Sequence, residues 1–251
     1  IFATTTHATI GAGADVTAGS DVEVRAIDDT EITTFAGALA FSLEGKGIGI
    51  GLDVTVLTKD TEAAILASTD GGNPTDIVAG GNVIVDADSS EDLFTLTINL
   101  GIAGEDAPAG AGGLVVHWID TDTRAFAGRD PQAAPVAGNV VLDADGSVAI
   151  AADSTTKDDA AAGSAAVSVE NDGYGASVVV VVDIDDTFAF VGDGAAVTAL
   201  GNKAVDIRNG VHDGDGNQGT QSARGFALGA SSFEDQFLLA IGAAGTIEAD
   251  K

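Results

Sequence analysis

The sequence predicts an all-β chain wound as a parallel β-solenoid, built from about four repeats of roughly 60 residues. Two recurring phrases and the composition carry that expectation. The first phrase is Asp21-Val-Glu-Val-Arg-Ala-Ile-Asp-Asp-Thr30, a short alternating stretch ending in acidic turn residues. It returns at Gly81–Asp88 and Gly138–Asp145, and in degraded form at Gly201–Arg208, with Val22, Val83, Val140 and Val205 separated by 61, 57 and 65 residues. The second phrase opens on threonine, at Thr6–Gly11, Thr61–Leu66, Thr123–Gly128 and Thr187–Gly192, with steps of 55, 62 and 64. The composition is 45% hydrophobic but only 5% aromatic, with 34 Gly and 4 Pro. Small and β-branched side chains suit narrow, layered strands better than a core of large ones. Strands of about four to seven residues would then give two or three coils per unit, at roughly 20–30 residues per coil. A β-sandwich of antiparallel strands is the alternative, since sandwiches also show regular turn signals. It does not account for near-identical phrases at a fixed period.

The units run roughly over residues 4–60, 61–122, 123–186 and 187–251 of one continuous array. In the first, the Val22/Val24/Ala26 strand is followed by the small-residue segment Thr33–Ser42 and by Gly45-Lys-Gly-Ile-Gly-Ile-Gly51. Glycine at alternate positions costs a helix about 1 kcal/mol each. In a strand it leaves one face bare, so another backbone can approach. The second unit carries a surface insertion at Thr69–Asp76, the alternating run Leu93–Ile102, a loop at Glu105–Gly110 and the strand Leu114–Ile119. In the third, Arg129–Pro135 occupies the variable turn. Its run Ala176–Asp183 is the most β-prone, and continuous valine predicts burial on both faces. Ala160–Ala166 reads as strand because Gly163 interrupts it and Val167-Ser-Val169 follows. The fourth unit decays after Asn209 into a loop at Asp213–Gly219 before the apolar rhythm resumes over Phe226–Ile241.

Charge narrows the function classes. Ten basic against 39 acidic residues give −29, which repels nucleic acid and anionic membranes and favours solubility and cation binding. There is no cysteine, hence no disulfide framework or thiol chemistry. No uncharged apolar run reaches the roughly 18 residues of a transmembrane helix, so no membrane insertion is expected. Ile1 opens in mid-pattern without a basic leader, so the chain reads as a mature or excised piece of something longer.

The phrases resemble repeat regions of large bacterial filamentous-haemagglutinin-like adhesins and leukotoxin-type filamentous adhesins. The residues that carry the resemblance are Thr6–Gly11, Val16–Asp28 and Gly49–Val56, which recur at Thr123–Gly128, Val136–Asp145 and Gly173–Val180. It covers most of residues 4–208. What it implies is an elongated extracellular β-helical stalk or surface filament, with no catalytic motif to carry over.

Read for chemistry, the sequence offers acidic pairs and little else. Asp28/Asp29, Asp86/Asp88, Asp143/Asp145 and Asp183/Asp185/Asp186 recur at strand ends. A stack would align them in columns able to take Ca²⁺. The plainer reading is that Asp favours turns and keeps sheet edges from pairing. Asp213-Gly-Asp-Gly-Asn217 spaces oxygen ligands like a calcium loop but has Arg224 where the closing Glu belongs. His7, His117 and His212 stand in three separate contexts without the pairing a zinc site requires. Asp120 and Asp122 beside Arg124 are the nearest approach to a glycoside-cleaving acid pair. Asp-x-Asp is too common in so acidic a chain to assign.

No catalytic, cofactor or metal residue is therefore assigned, and Ca²⁺ remains the one ion with candidate ligands. The expected function is that of a structural or adhesive extracellular β-solenoid, not an enzyme. Its alternatives are a carbohydrate- or Ca²⁺-binding module of a secreted protein and a polysaccharide-acting β-helix. Neither end shows a capping segment, so the expected partner is itself, end to end, or further repeats of the chain, with surface glycans next.

Overall fold

In the computed structural model, which describes residues 1–68, 73–105, 107–129, 139–213 and 217–248, each coil is a long strand, a short strand and a second long strand. The first coil is β1 (Phe2–Ile10), β2 (Asp15–Ala18) and β3 (Val22–Ser42). The second is β4 (Gly47–Leu66), β5 (Thr75–Ala79) and β6 (Val83–Ala103). The third is β7 (Ala109–Gly128), β8 (Val140–Ala144) and β9 (Val148–Val169). The fourth is β10 (Gly173–Val191), β11 (Ala195–Ala199) and β14 (Phe226–Ile247), interrupted by the hairpin β12 (Val205–His212) and β13 (Gln218–Ala223). Equivalent strands pair in parallel and in register, giving sheets ordered β1-β4-β7-β10, β2-β5-β8-β11 and β3-β6-β9-β14. The parallel β-solenoid stands, and pairing within these sheets is parallel, not the antiparallel pairing of the alternative sandwich.

Two expectations about the coil are corrected. Each repeat forms one coil, not two or three, and its long strands run 19–22 residues in the complete coils instead of four to seven. The cause is that Thr, Asp and Gly within the repeats do not turn the chain; they continue the strand with their side chains facing inward. The threonine phrase is a true structural column, because Thr6, Thr61, Thr123 and Thr187 pair across the first long sheet. The valine phrase is not. Val22 pairs Val83, but the next members of that column are Val148 and Phe226. Val140 starts a strand of the short sheet and Val205 starts the hairpin.

The two long sheets face each other, and the short sheet closes one end (the closed end). Four apolar clusters are found between them among the described residues, one of them the small group Val115, Ala160 and Ala162. At the closed end, Ile65, Ile77, Val85, Leu142 and Ile150 form the main hydrophobic core. Midway, Ile32, Leu57, Leu93 and Ile119 meet. At the opposite, turn end only small residues fit, among them Ala103, Ala109, Ala111 and Ala166. There the sheets meet backbone to backbone. A Cβ on Gly47 would lie 2.0 Å from the Ile102 carbonyl oxygen, and one on Gly101 2.0 Å from that of Gly110. The glycine-led segment thus serves close approach, as its alternation predicts.

The outer faces hold a further correction. Val178 and Val180 of the valine run point outward and remain 51% and 42% exposed, because nothing covers the outer face of this sheet, where Val54 and Trp118 of the interior strands are exposed as well. The Ala160–Ala166 run is strand as expected, within β9. Of the loops, Thr69–Gly72, Asp106, Asp130–Gly138 and Gly214–Gly216 lie outside the described residues. Within Asp213–Gly219, Gln218 and Gly219 belong to β13 and not to a loop.

The close approach yields a test. Gly101→Ala should lower stability to urea by roughly 1–3 kcal/mol through overpacking. Gly163→Ala, whose added Cβ meets nothing nearer than 3.8 Å, should unfold at the wild-type midpoint.

Candidate functional site

Strict register turns sequence spacing into neighbourhood, so the fate of every acidic pair can be read from its column. Asp28 points into the interior beside Ser89, and Asp29 points outward beside Ser90. Asp143 is exposed between Val78 and Thr198. Asp183 and Asp185 face inward on β10 and Asp186 faces out. Most of the expected acidic pairs therefore do not align with one another. Carboxylates do align directly in four places: Glu31 beside Asp92, Asp15 beside Asp76, and two rows that carry their own cations. Asp60, Asp122 and Asp186 run in one row across the first long sheet, each directly before a column threonine. Arg124 ties that row together, 3.0 Å from both Asp60 and Asp122, while His7 lies 3.3 Å from Asp60. The Asp-Thr dipeptide heading three of the four threonine phrases was the unused signal in the sequence. Of Asp120 and Asp122, weighed beside Arg124 as an acid pair, Asp122 is thus part of an ion-pair row on a flat face, and Asp120 lies on the same face between Thr58 and Ile184.

The second of these rows, Asp88 beside Asp153, lies on the outer face of the other long sheet. Like charges directly opposed on neighbouring strands are destabilising, and the hairpin covers them. Arg208 of β12 reaches Asp88 at 2.6 Å and Asp86 at 2.9 Å. His212 lies 3.5 Å from Asp153 and stacks on Phe233, and Ser231 also donates to Asp153. Lys203, just before the hairpin, extends to Asp21 of the first coil. That ion pair, helped by the Asn82 amide, holds the Asp21 carboxyl below its ordinary value. Under the hairpin lies a cleft of about 740 Å³ whose walls include Asp29, Glu31, Asp92, Lys157, Arg208 and Gln218. Burial pushes Asp153, at its floor, up to about 6, with Asp88 adding to the effect against Ser231, Arg208 and His212. Its second oxygen has no hydrogen-bond partner.

Charge also enters the interior. Lys59 is fully buried, with its ammonium 2.8 Å from Asp28 and 2.7 Å from Glu91, and it donates to the carbonyls of Asp28 and Ser90. Ser89 and Thr156 donate to Glu91, so the carboxylate is satisfied on both oxygens. Burial raises the Glu91 pKa against the pull of Lys59. Further along, the buried His117 bonds Asp158 at 2.8 Å and Thr95 at 2.9 Å. His117 and Lys59 are thus strand residues, in a polar layer that the sequence did not single out. In the fourth coil an acid replaces the cation. Asp185 takes the position of Lys59 and Glu234 that of Glu91. Burial lifts Asp183 to about 6, helped by Glu234, Asp185 and Glu91 and opposed by the Gln236 hydrogen bond.

Among the described residues no three His, Asp or Glu side chains converge as a metal ion requires. Of the calcium-loop candidate only Asp213 and Asn217 are described. The Asn217 amide groups donate to the Asp213 carboxylate and the two backbones bond, which closes the hairpin. No family model, curated protein or solved structure matches the chain. What the arrangement can do chemically is attract a cationic or polyhydroxylated guest to the cleft and repel an anionic one.

Two measurements probe these groups. Lys59→Met leaves the buried Glu91 and the partly buried Asp28 without their cation and should cost roughly 3–5 kcal/mol in chemical unfolding. Asp183, with a folded value near 6 against an ordinary 3.8, binds its proton more tightly folded than unfolded. Its contribution to stability therefore falls as pH rises through that window and returns on acidification. Asp183→Asn should raise Tm at pH 7, leave it nearly unchanged near pH 4, and flatten the slope between.

Proposed function

We propose that the chain is a structural segment of an extracellular or cell-surface β-solenoid, the stalk of an adhesin or a subunit of a filament. The observation that carries this reading is the parallel ladder itself, four coils deep with long strands at its borders. At one border lie β3 and the first half of β4, beyond the reach of β1; at the other lie β10, β11 and β14. Edges of this length are templates for further parallel strands. A coil stacked there would continue every column, as the coils of a solenoid do. Head-to-tail contacts between such ends generate open filaments. The adhesin and the extracellular setting rest on the sequence resemblance alone.

The interior sets the conditions for stacking one copy on another. The first coil presents Asp28, Thr30 and Thr4 to the column positions of Ser232, Glu234 and Asp185. Asp28 would join Asp183, Asp185 and Glu234 around one enclosed space, and like charges there oppose closure. Protonation or a divalent cation relieves that repulsion. Electron microscopy at pH 7.5 and pH 5, with calcium and with a chelator, tests the reading. Fibres one coil in width that lengthen at pH 5 or with calcium support it. Separate particles under all four conditions, at high concentration, overturn it.

A second reading, a module binding a cationic or polyhydroxylated guest, is favoured by the cleft beneath the hairpin and by the unpartnered oxygen of Asp153. In neither reading does the chain act as an enzyme.

A further inference from the structure

The outer face of the first long sheet is apolar along its turn-end half. Five rows of three residues run from Ile48, Gly110 and Tyr174 to Val56, Trp118 and Val182. None of the fifteen carries a charge. Ile50 is 70% exposed and Leu52 58%. At about 3.3 Å per residue and 4.8 Å between strands, the face measures roughly 30 by 14 Å. That is roughly 400 Å² of flat apolar surface, within the size range at which such patches mark binding sites.

Two glycines on this face have no role in the chain's own packing. A Cβ on Gly110 would meet nothing nearer than 3.6 Å, and one on Gly112 nothing nearer than 3.8 Å, unlike the inward Gly47 or Gly101. Glycine weakens a strand interior and commonly marks a place where another surface comes close. Here the pair lowers the floor of a groove of about 520 Å³ between Ile48 and Ile50 on one side and Tyr174 on the other.

We propose that this face is the docking surface for a second copy of the chain, packed face to face about a two-fold axis parallel to the solenoid axis. The axis passes through the row Leu52, Leu114 and Val178. Such a rotation reverses the strand direction and keeps coil opposite coil. On β7 it sets Trp118 over the partner copy's Gly110 and Val116 over its Gly112. On β10 it sets Val182 opposite Tyr174 and Val180 opposite Ala176. Along β7, where Trp118 and Val116 meet glycine, large side chains at one end of the patch thus meet small ones at the other, the self-complementarity a two-fold interface requires. Charge points the same way. The acids of this face, Asp60, Glu62, Asp120, Asp122 and Asp186, lie on the closed-end side of the patch, Asp120 in the row next to it. The antiparallel overlay directs the two acidic ends apart. A lipid occupant is disfavoured, because the unpaired edges of β4 and β10 would sit in hydrocarbon unsatisfied. The contact is lateral and does not depend on end-to-end stacking.

Trp118 is the chain's one tryptophan and reports on the face directly. Sedimentation velocity and tryptophan emission across a concentration series should show a dimer whose Trp118 emission shifts to the blue and resists aqueous quenchers. Gly110→Leu, which fills the groove, and Leu114→Asp, which places charge on the axis, should each abolish the dimer with circular dichroism unchanged. A monomer with quencher-accessible Trp118 throughout the series overturns the proposal. So does a dimer that survives both substitutions, which would place the contact at the sheet edges. A blue shift that needs added phosphatidylcholine vesicles overturns it in favour of a lipid surface.

Discussion

Everything in this molecule depends on the in-register parallel ladder. Each residue of a long strand has as its neighbours the equivalent residues of the coils above and below, about 4.8 Å away. A favourable residue is thereby repeated into a column, and so is an unfavourable one. The threonines at 6, 61, 123 and 187 show the benefit, since one small β-branched residue suits every coil. The carboxylates show the cost. Asp60, Asp122 and Asp186 stand together only with Arg124 threaded between two of them, and Asp88 and Asp153 only beneath the hairpin.

The ladder also explains the reversed polarity of the turn-end half. Close approach of two sheets demands small inward residues, so Gly47, Gly49, Ala109 and Ala111 occupy the inside. Side chains large enough to supply hydrophobic area can then only point outward. Ile48, Ile50, Phe35 and Leu39 are exposed for that reason, not for lack of a partner position inside. The closed end has the opposite arrangement, with Ile65, Ile77 and Ile150 in the core and acids outside. A single coil therefore joins a conventionally packed half to one whose apolar surface faces out.

This reversal is also why part of the fold was legible in the sequence and part was not. The period, the strand class and the close-packing glycines follow from residue spacing, because the threonine column and the alternating glycines keep their phase. Coil size does not. A strand whose inward positions change from Val22, Val24 and Ala26 to Asp28 and Thr30 reads as ending at the acids, although β3 continues to Ser42. The Gly-Asn-Val phrase misled for a related reason. It marks a corner, and the chain turns corners at both ends of the short sheet, so Val83 and Val140 begin different sheets. The interior pairing of Lys59 with Asp28 and Glu91 was out of reach, since those residues are 31 and 32 positions away and meet only when two long sheets face each other. The hairpin was hidden because Asp213–Gly219 has the composition of any polar loop.

Against 39 acids the ten basic residues are few, and where four of them sit suggests how the stack tolerates its charge. Lys59 joins the first and second coils, Arg124 the second and third, Arg208 the fourth and second, and Lys203 the fourth and first. Each cation thus bridges coils, and Lys59 and Arg124 also pair within their own through Glu91 and Asp122. These bridges differ in exposure to salt. Lys203 is half exposed and its pair is screened by ions, whereas Lys59 is sealed from water and is not. Rising ionic strength therefore loosens the hairpin's outer attachment while leaving the interior bridge intact. The same ions weaken repulsion between the acidic surfaces of neighbouring solenoids. Salt consequently acts in two directions on this molecule, relaxing the insertion that covers the cleft while easing the approach of one stack to another.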